Sequence, residues 1–152
     1  MPSLSIPSPV GQLTIDEIDD AIVAIRWADG SPGAPAGNGS PLLAEAARQL
    51  AAYFDGRLLH FDLPLAPAGS PFEARVWSAM QVIPYGETRS YGDLAASVAS
   101  APRAVGRACG RNPIPIVIPC HRVLAKGGLG GYSGEGGLAT KQRLLALEGA
   151  LV

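Results

Sequence analysis

Short apolar stretches open the chain, with the two-residue rhythm of strands. Leu13-Thr14-Ile15 and Ala21-Ile22-Val23-Ala24-Ile25-Arg26-Trp27 read as two strands, separated by an acidic turn from Asp16 to Asp20. Ser31 to Ser40 is a loop of Gly, Pro, Asn and Ser. The period then changes. Leu43, Ala46, Ala47 and Leu50 recur at helical spacing, predicting a helix from Pro41 to Tyr53 that Asp55-Gly56 stops. Leu58 to Leu63 reads as a further strand. From Pro64 to Pro71, three prolines and a glycine exclude regular structure, which places a domain boundary there and divides the chain into 1–68 and 69–152.

The second part reads as mostly helical. Phe72 to Val82 forms a helix ended by Pro84-Tyr85-Gly86. Ser90-Tyr91-Gly92-Asp93 has the capping-box form and opens a short helix through Val98. Ser100-Ala101-Pro102 starts another, which runs to Gly110 and is closed by Asn112-Pro113. Two short helices joined by a tight turn make a helix-turn-helix candidate. The apolar run Ile114 to Ile118 leads into Pro119-Cys120-His121-Arg122, and a glycine-dense loop precedes a last helix from Leu138 to Glu148. The expected fold class is α/β (α+β), a small α/β unit followed by a largely helical one.

Composition agrees with an ordered protein rich in turns. Of 152 residues, 47% are hydrophobic and 16% charged, which excludes a disordered acidic or basic tail; 19 Gly and 14 Pro stay below low-complexity levels. No stretch approaches the roughly 18 apolar residues of a membrane span. Met1 to Pro9 lacks the basic start and apolar run of a secretory signal. Cys109 and Cys120, with only His60 and His121 beside them, make neither a disulfide framework nor a four-ligand zinc site. The expectation is a cytoplasmic, reducing setting with no metal and no membrane.

The net charge of −1 hides an asymmetry: residues 1–70 carry three basic groups against eight acidic (−5), and residues 71–152 carry nine against five (+4). A polyanion would be drawn to the second half only. Within it, Ala101, Val105, Ala108, Cys109 and Asn112 gather on one side of the helix that begins at Pro102, and Arg103, Arg107 and Arg111 on the other. Ala104 and Gly106 lie between, too small to keep a backbone away from a groove. The stripe suits phosphates, and equally a plainly solvated face.

Cys120 is the chemical centre of this reading. A thiol acts as a nucleophile only when a cation, a base or a helix N-terminus raises its thiolate fraction, and His121 and Arg122 follow directly. Flanking prolines Pro113, Pro115 and Pro119 make a stiff arm for in-line attack. Glu148 lies at i+3 and i+4 from Leu145 and Leu144, on the packed face of the last helix and at its anion-disfavouring end. Such a carboxylate needs a partner, and His121 is the one histidine in this half. A relay Cys120–His121–Glu148, with the imidazole taking the thiol proton directly or through water, satisfies all three groups. A packed, inert cysteine and a frayed, solvated Glu148 are the plain alternatives. Cys109, on the inward face with no histidine near, is expected only to pack.

Asn112-Pro113-Ile114-Pro115-Ile116-Val117-Ile118-Pro119-Cys120-His121-Arg122-Val123 resembles the active-site signature of the O6-alkylguanine-DNA alkyltransferases. Arg103 to Gly106, Ser90-Tyr91-Gly92, Gly131 to Gly134 and Lys141 to Gly149 match in order, and Gln49 to Leu65 and Ser70 to Trp77 more loosely. The resemblance implies a ribonuclease-H-like α/β N-terminal domain and a mostly helical, winged-helix-like C-terminal domain. The helix-turn-helix of the latter would enter the minor groove of double-stranded DNA as a monomer, with the damaged base flipped out. It implies Arg103 as a finger filling the vacated stack, with Ala104, Gly106 and Arg107 along the same DNA-facing helix. Tyr91 would rotate the nucleotide and donate to guanine. The Ser133 amide would contact O6 beside Tyr132, the carbonyls of Cys120 and Val123 would accept from the exocyclic amine, and Asn112 would brace the turn. It implies irreversible, single-turnover alkyl transfer from O6-alkylguanine to Cys120, with O4-alkylthymine a further candidate donor and no cofactor.

The sequence departs from that pattern at Glu135, which interrupts the glycine run after Tyr132, and at Ser70-Pro71-Phe72-Glu73, where Gly-Thr-x-Phe-Gln is usual. Two rival readings remain beside it. One is a lesion-binding DNA module without chemistry, against which the presence of Cys120 argues. The other is a cysteine hydrolase, which would leave the arginine stripe unexplained.

Overall fold

The computed structural model describes residues 2–27, 40–125, 128–130 and 137–150. The chain divides into two compact units, Met1–Ala68 and Gly69–Val152.

In the first unit, strands β1 (Ser3–Ile6), β2 (Leu13–Ile18) and β3 (Ala21–Trp27) form an antiparallel sheet in that order. Asp19 and Asp20, at φ +51° and +62°, make a two-residue hairpin turn of the primed kind that matches strand twist. The acidic turn expected over Asp16 to Asp20 is therefore only two residues long. Asp16 and Glu17 stay in the strand because each has a partner. Asp16 accepts from Arg26 Nε at 2.7 Å and Ser3 Oγ at 2.6 Å, and Glu17 accepts from Ser40 Oγ. Strand β1 went unforeseen because Pro2 and Pro7 bracket only four residues; its Ser5 hydroxyl meets that of Thr14 at 2.8 Å.

Helix α1 (Pro41–Phe54) starts where the periodicity places it, with Ser40 as its N-cap, and buries Leu43, Ala46, Leu50 and Tyr53. Leu13, Ile15 and Ile22 of the sheet are fully buried in the same unit. Most of the predicted Ser31 to Ser40 loop lies outside the described residues. Leu58 to Leu63 is not a strand: the Gln49 side chain takes both backbone groups of Asp62, at 2.9 and 3.0 Å, in place of a neighbouring strand. Pairing begins later, inside the proline-rich stretch, where Leu65 bridges Ile22 in parallel.

The second unit holds helices α2 (Pro71–Gln81), α3 (Tyr91–Ser97), α4 (Pro102–Gly110) and α5 (Leu138–Leu147). Ser70 and Glu73 form a reciprocal capping box at α2, so the departure at Ser70 to Glu73 makes a well-capped helix start. The Ser90–Asp93 box opens α3 as expected. Ala99, at φ +54°, turns the chain and the Ser100 amide closes on Ala95 O at 2.9 Å, joining α3 to α4 in helix-turn-helix order. Trp77 of α2, buried, donates from Nε1 to Ala108 O of α4 at 2.8 Å. Strands β4 (Arg89–Ser90) and β5 (Val123–Leu124) pair in parallel, two residues each and too short to show as a pattern. Among the described residues no helix is long and apolar enough to cross a membrane.

Candidate active site

The run from α4 to the cysteine is an irregular arm held by Asn112. Its Oδ1 accepts from the Ile114 amide at 3.0 Å, and its Nδ2 donates to Ile118 O at 2.8 Å. Between those points Ile116 adopts φ +75°, a conformation costly for a β-branched residue and kept only where the surroundings over-determine it. Asn112 and the burial of Ile114, Ile116 and Ile118 supply that constraint. The arm ends in a 3₁₀ turn over Cys120–Arg122, whose Cys120 amide donates to Ile118 O at 2.8 Å.

Cys120 is 6% exposed, His121 0% and Glu148 5%. Glu148 caps the C-terminus of α5. Its Oε2 meets His121 Nε2 at 2.7 Å, while Arg122 reaches it with two nitrogens, Nε to Oε1 at 2.8 Å and Nη2 to Oε2 at 3.0 Å. The remaining Arg122 nitrogen, Nη1, donates to Ile83 O at 2.7 Å. The predicted His121–Glu148 pair is thus formed. Nδ1 of His121 is buried without a hydrogen-bond partner among the described residues. The imidazole consequently makes no direct hydrogen bond to the thiol at rest.

The sequence expected Arg122 to favour the thiolate. The structure corrects this: its guanidinium is committed to Glu148 and Ile83. Burial pushes the Cys120 thiol above its ordinary range, and what opposes burial is the Asn112 side chain, the charge of Lys141 and a backbone hydrogen bond at Cys120 itself. Lys141 is fully buried on α5, with Nζ donating to Val123 O at 2.7 Å and Leu129 O at 2.5 Å and lying 5.9 Å from the centre of the Tyr91 ring. Sequence reasoning gave Lys141 no role. The signal was available: it precedes Leu144 and Leu145 by three and four residues, the same packed-face relation that singled out Glu148. Burial drives the pKa of Lys141 below its usual value, and the two cysteines pull the other way.

Tyr91, half-buried at the start of α3, packs where Gly130 leaves room; a Cβ on Gly130 would come within 2.9 Å of its ring. Val123 is buried in β5. Arg103, Arg107 and Arg111 are all exposed along α4, opposite buried Val105, Ala108 and Cys109; Ala104 and Gly106 are intermediate. Ala101 was expected on the packed side, but as the uncapped N-cap residue it is exposed. Arg107 and Arg111 border a groove of about 250 Å³ with Ser70, Phe72 and Glu73, where Arg111 lies 3.5 Å from the Glu73 carboxylate. Cys109 packs with its sulfur 3.5 Å from that of Met80, and burial raises its pKa to about 12. Tyr132, Ser133 and Glu135 lie outside the described residues. Among the described residues no three His, Cys, Asp or Glu side chains gather as a metal site.

Comparison with known proteins gives this geometry its context. Residues 71–150 match the DNA binding domain of 6-O-methylguanine DNA methyltransferase, and residues 4–67 its ribonuclease-like domain. A methylated-DNA–protein-cysteine methyltransferase of Mycolicibacterium paratuberculosis is 49% identical over 150 residues, covering 95% of this chain and 90% of that protein. The constitutive enzyme of that name from Bacillus subtilis is 45% identical, with 84% of each chain covered. The crystal structure of Mycobacterium tuberculosis O6-methylguanine methyltransferase superposes with a TM-score of 0.84 at 38% identity, over 99% of this chain and 93% of that one. Its counterpart in complex with DNA gives 0.83 at 41% identity, over 96% and 92%. With both family domains matched along the chain and relatives near half identity across most of its length, this protein belongs to the 6-O-methylguanine DNA methyltransferase family.

Proposed function

We propose that this chain repairs alkylated DNA by direct reversal, moving the alkyl group of O6-alkylguanine irreversibly onto Cys120. The Cys120 sulfur attacks the alkyl carbon, the bond from that carbon to O6 breaks, and guanine leaves with its O6 restored to a carbonyl. The thiol proton passes to the imidazole and is matched by one delivered to the departing base, so atoms and charge balance without an added metal or cofactor. The thioether offers no easy leaving group, and each molecule therefore acts once.

The observation that carries this reading is the buried turn itself. The thiol and the imidazole are neighbours in one 3₁₀ turn, and Glu148 orients the imidazole through Nε2 while Nδ1 has no partner among the described residues. A base able to take a thiol proton needs that free lone pair. A neutral, buried thiol also suits a protein that must not be alkylated before its substrate docks.

On this reading residues 69–152 bind double-stranded DNA and transfer the alkyl group, while residues 1–68 form the ribonuclease-H-like companion domain. The exposed arginine face of α4 meets the backbone from the minor groove as a monomer, and the lesion is flipped out because its O6 substituent is otherwise beyond a buried thiol. Arg103 fills the vacated stack, Ala104 and Gly106 allow close approach, and Arg107 holds phosphate. Tyr91 contacts the extruded nucleotide, the Val123 carbonyl and the Tyr132–Ser133 segment bind the guanine edge, and Asn112 braces the arm. O4-alkylthymine is a second donor, and the setting is the cytoplasm.

Incubating the protein with a duplex that contains O6-methylguanine and mapping the mass of the Cys120 peptide tests the proposal. A permanent gain of one methyl group there is expected. Tight binding with no mass change would instead establish a lesion-binding module, and turnover of an ester a hydrolase.

A further inference from the structure

We infer that Arg122 is a positioning residue that keeps the His121 imidazole neutral, with its hydrogen on Nε2, by neutralising the Glu148 carboxylate that both side chains share. The consequence for rate rests on the alkyl-transfer reading above; the protonation state itself does not.

The geometry is a two-pronged grip on one buried carboxylate. Arg122 spans both oxygens at 2.8 and 3.0 Å, and His121 Nε2 reaches Oε2 at 2.7 Å. The guanidinium cannot swing away, because Nη1 is tied to Ile83 O at 2.7 Å and the Tyr85 ring lies 5.7 Å from its central carbon. A fork of this kind requires an ionised Glu148 and places a fixed positive charge against it. The carboxylate then has no call on a second cation.

Consider the charges that face the imidazole. From α5 come Glu148 and the Lys141 ammonium; from its own turn come Arg122 and the Cys120 thiol; the Tyr85 phenol lies beyond Arg122. With His121 neutral, the Arg122–Glu148 pair sums to zero. Protonating the ring would leave an uncompensated positive charge in a site already holding Lys141, a costly state away from water. Burial is the largest influence holding His121 below its ordinary range; Glu148 opposes it, and Arg122 and Lys141 add to it. Nε2 carries the hydrogen that Glu148 accepts, so Nδ1 keeps its lone pair.

Without the Arg122 charge, the cheapest remedy for a buried anion is a proton on Nδ1, giving an imidazolium–carboxylate pair and removing the base at neutral pH. Lysine at this position keeps the charge and loses only the fork.

Nitrogen-15 NMR of histidine-labelled protein tests the inference directly. The chain has 2 histidines, and His60→Gln identifies the other signal set. At neutral pH the wild type and Arg122→Lys should each show one protonated and one bare ring nitrogen for His121. Arg122→Met should show two protonated nitrogens, with the ring's titration midpoint raised by about 1–3 pH units. The acid limb of the alkyl-transfer rate should move with it. A doubly protonated ring in the wild type, or a neutral ring in Arg122→Met, overturns the inference. Should Arg122→Met not fold, the wild-type and Arg122→Lys spectra decide it: a doubly protonated ring in either overturns it. Spectra as expected with no methyl reaching Cys120 would instead strike at the alkyl-transfer reading and leave the role of Arg122 standing.

Discussion

The Lys141 ammonium is fixed 2.7 Å from the carbonyl oxygen of Val123, which anchors a fully buried cation against the strand that leaves the reactive turn. Its charge is one of three influences that lower the Cys120 pKa against the upward push of burial. Lys141→Met should therefore raise the thiol's titration midpoint by about one pH unit, which is roughly a tenfold loss of thiolate at neutral pH. Ultraviolet titration of the thiolate and the single-turnover transfer rate should fall in step. An unshifted titration would remove Lys141 from the chemistry.

Asn112 makes the only side-chain bridge described across the arm that carries Cys120, taking the Ile114 amide and giving to Ile118 O. Asn112→Ala strands the buried Ile114 amide, at about 1–3 kcal/mol, and leaves Ile118 O with the Cys120 amide alone. It also frees Ile116 from a conformation that costs of order 1–3 kcal/mol to hold. The expectation is a loss of about 1–3 kcal/mol in urea unfolding and a larger fall in transfer rate than in DNA affinity. Equal falls in both would mean that the arm is not what the asparagine supports.

The elements legible in the sequence were those with a local cause. Helix α1 follows from apolar spacing, α3 from the four-residue Ser90–Asp93 box, and α4 from the proline that starts it and the Asn112-Pro113 that ends it. What the sequence hid depends on distant partners. Leu58 to Leu63 has the apolar content of a strand, but Gln49 captures the Asp62 backbone from a helix thirteen residues away. Strands β4 and β5 have two residues each and exist only because the fold brings Arg89 to Val123. The same division runs through the site. The His121–Glu148 pair could be inferred, because a carboxylate on a packed face needs a partner and one histidine was in reach. Which way Arg122 turned could not, since the Ile83 carbonyl that receives its third nitrogen lies 39 residues earlier.

Acid should weaken the second unit through His121. The group is held below its ordinary value of 6.5 in the folded chain, so the unfolded chain binds more protons as pH falls past that value. Its contribution to stability is complete above about 6.5 and is lost as pH drops toward the lower, folded value. Urea midpoints measured from neutral to mildly acidic pH should decline across this window. His121→Phe should flatten that decline, though at a lower starting stability because Glu148 loses a donor. A slope unchanged by the substitution would assign the acid sensitivity elsewhere.

Arg103 separates recognition of a base within a duplex from chemistry on the base alone. It is exposed in the first turn of α4, whereas Arg111 on the same face is held 3.5 Å from Glu73. Removing an exposed side chain of this kind should change unfolding stability by no more than about 0.5 kcal/mol. If Arg103 occupies the space left by a flipped nucleotide, Arg103→Ala forfeits part of an extrusion cost of a few kcal/mol, and repair of a paired duplex should fall by roughly tenfold or more. Transfer from free O6-alkylguanine base, which needs no extrusion, should suffer a smaller loss. Arg107→Ala is the comparison, since a phosphate contact weakens binding to all sequences alike and reduces the salt dependence by about one ion. Equal losses on duplex and free base in Arg103→Ala would place that arginine among the phosphate contacts and leave the vacated stack to another group.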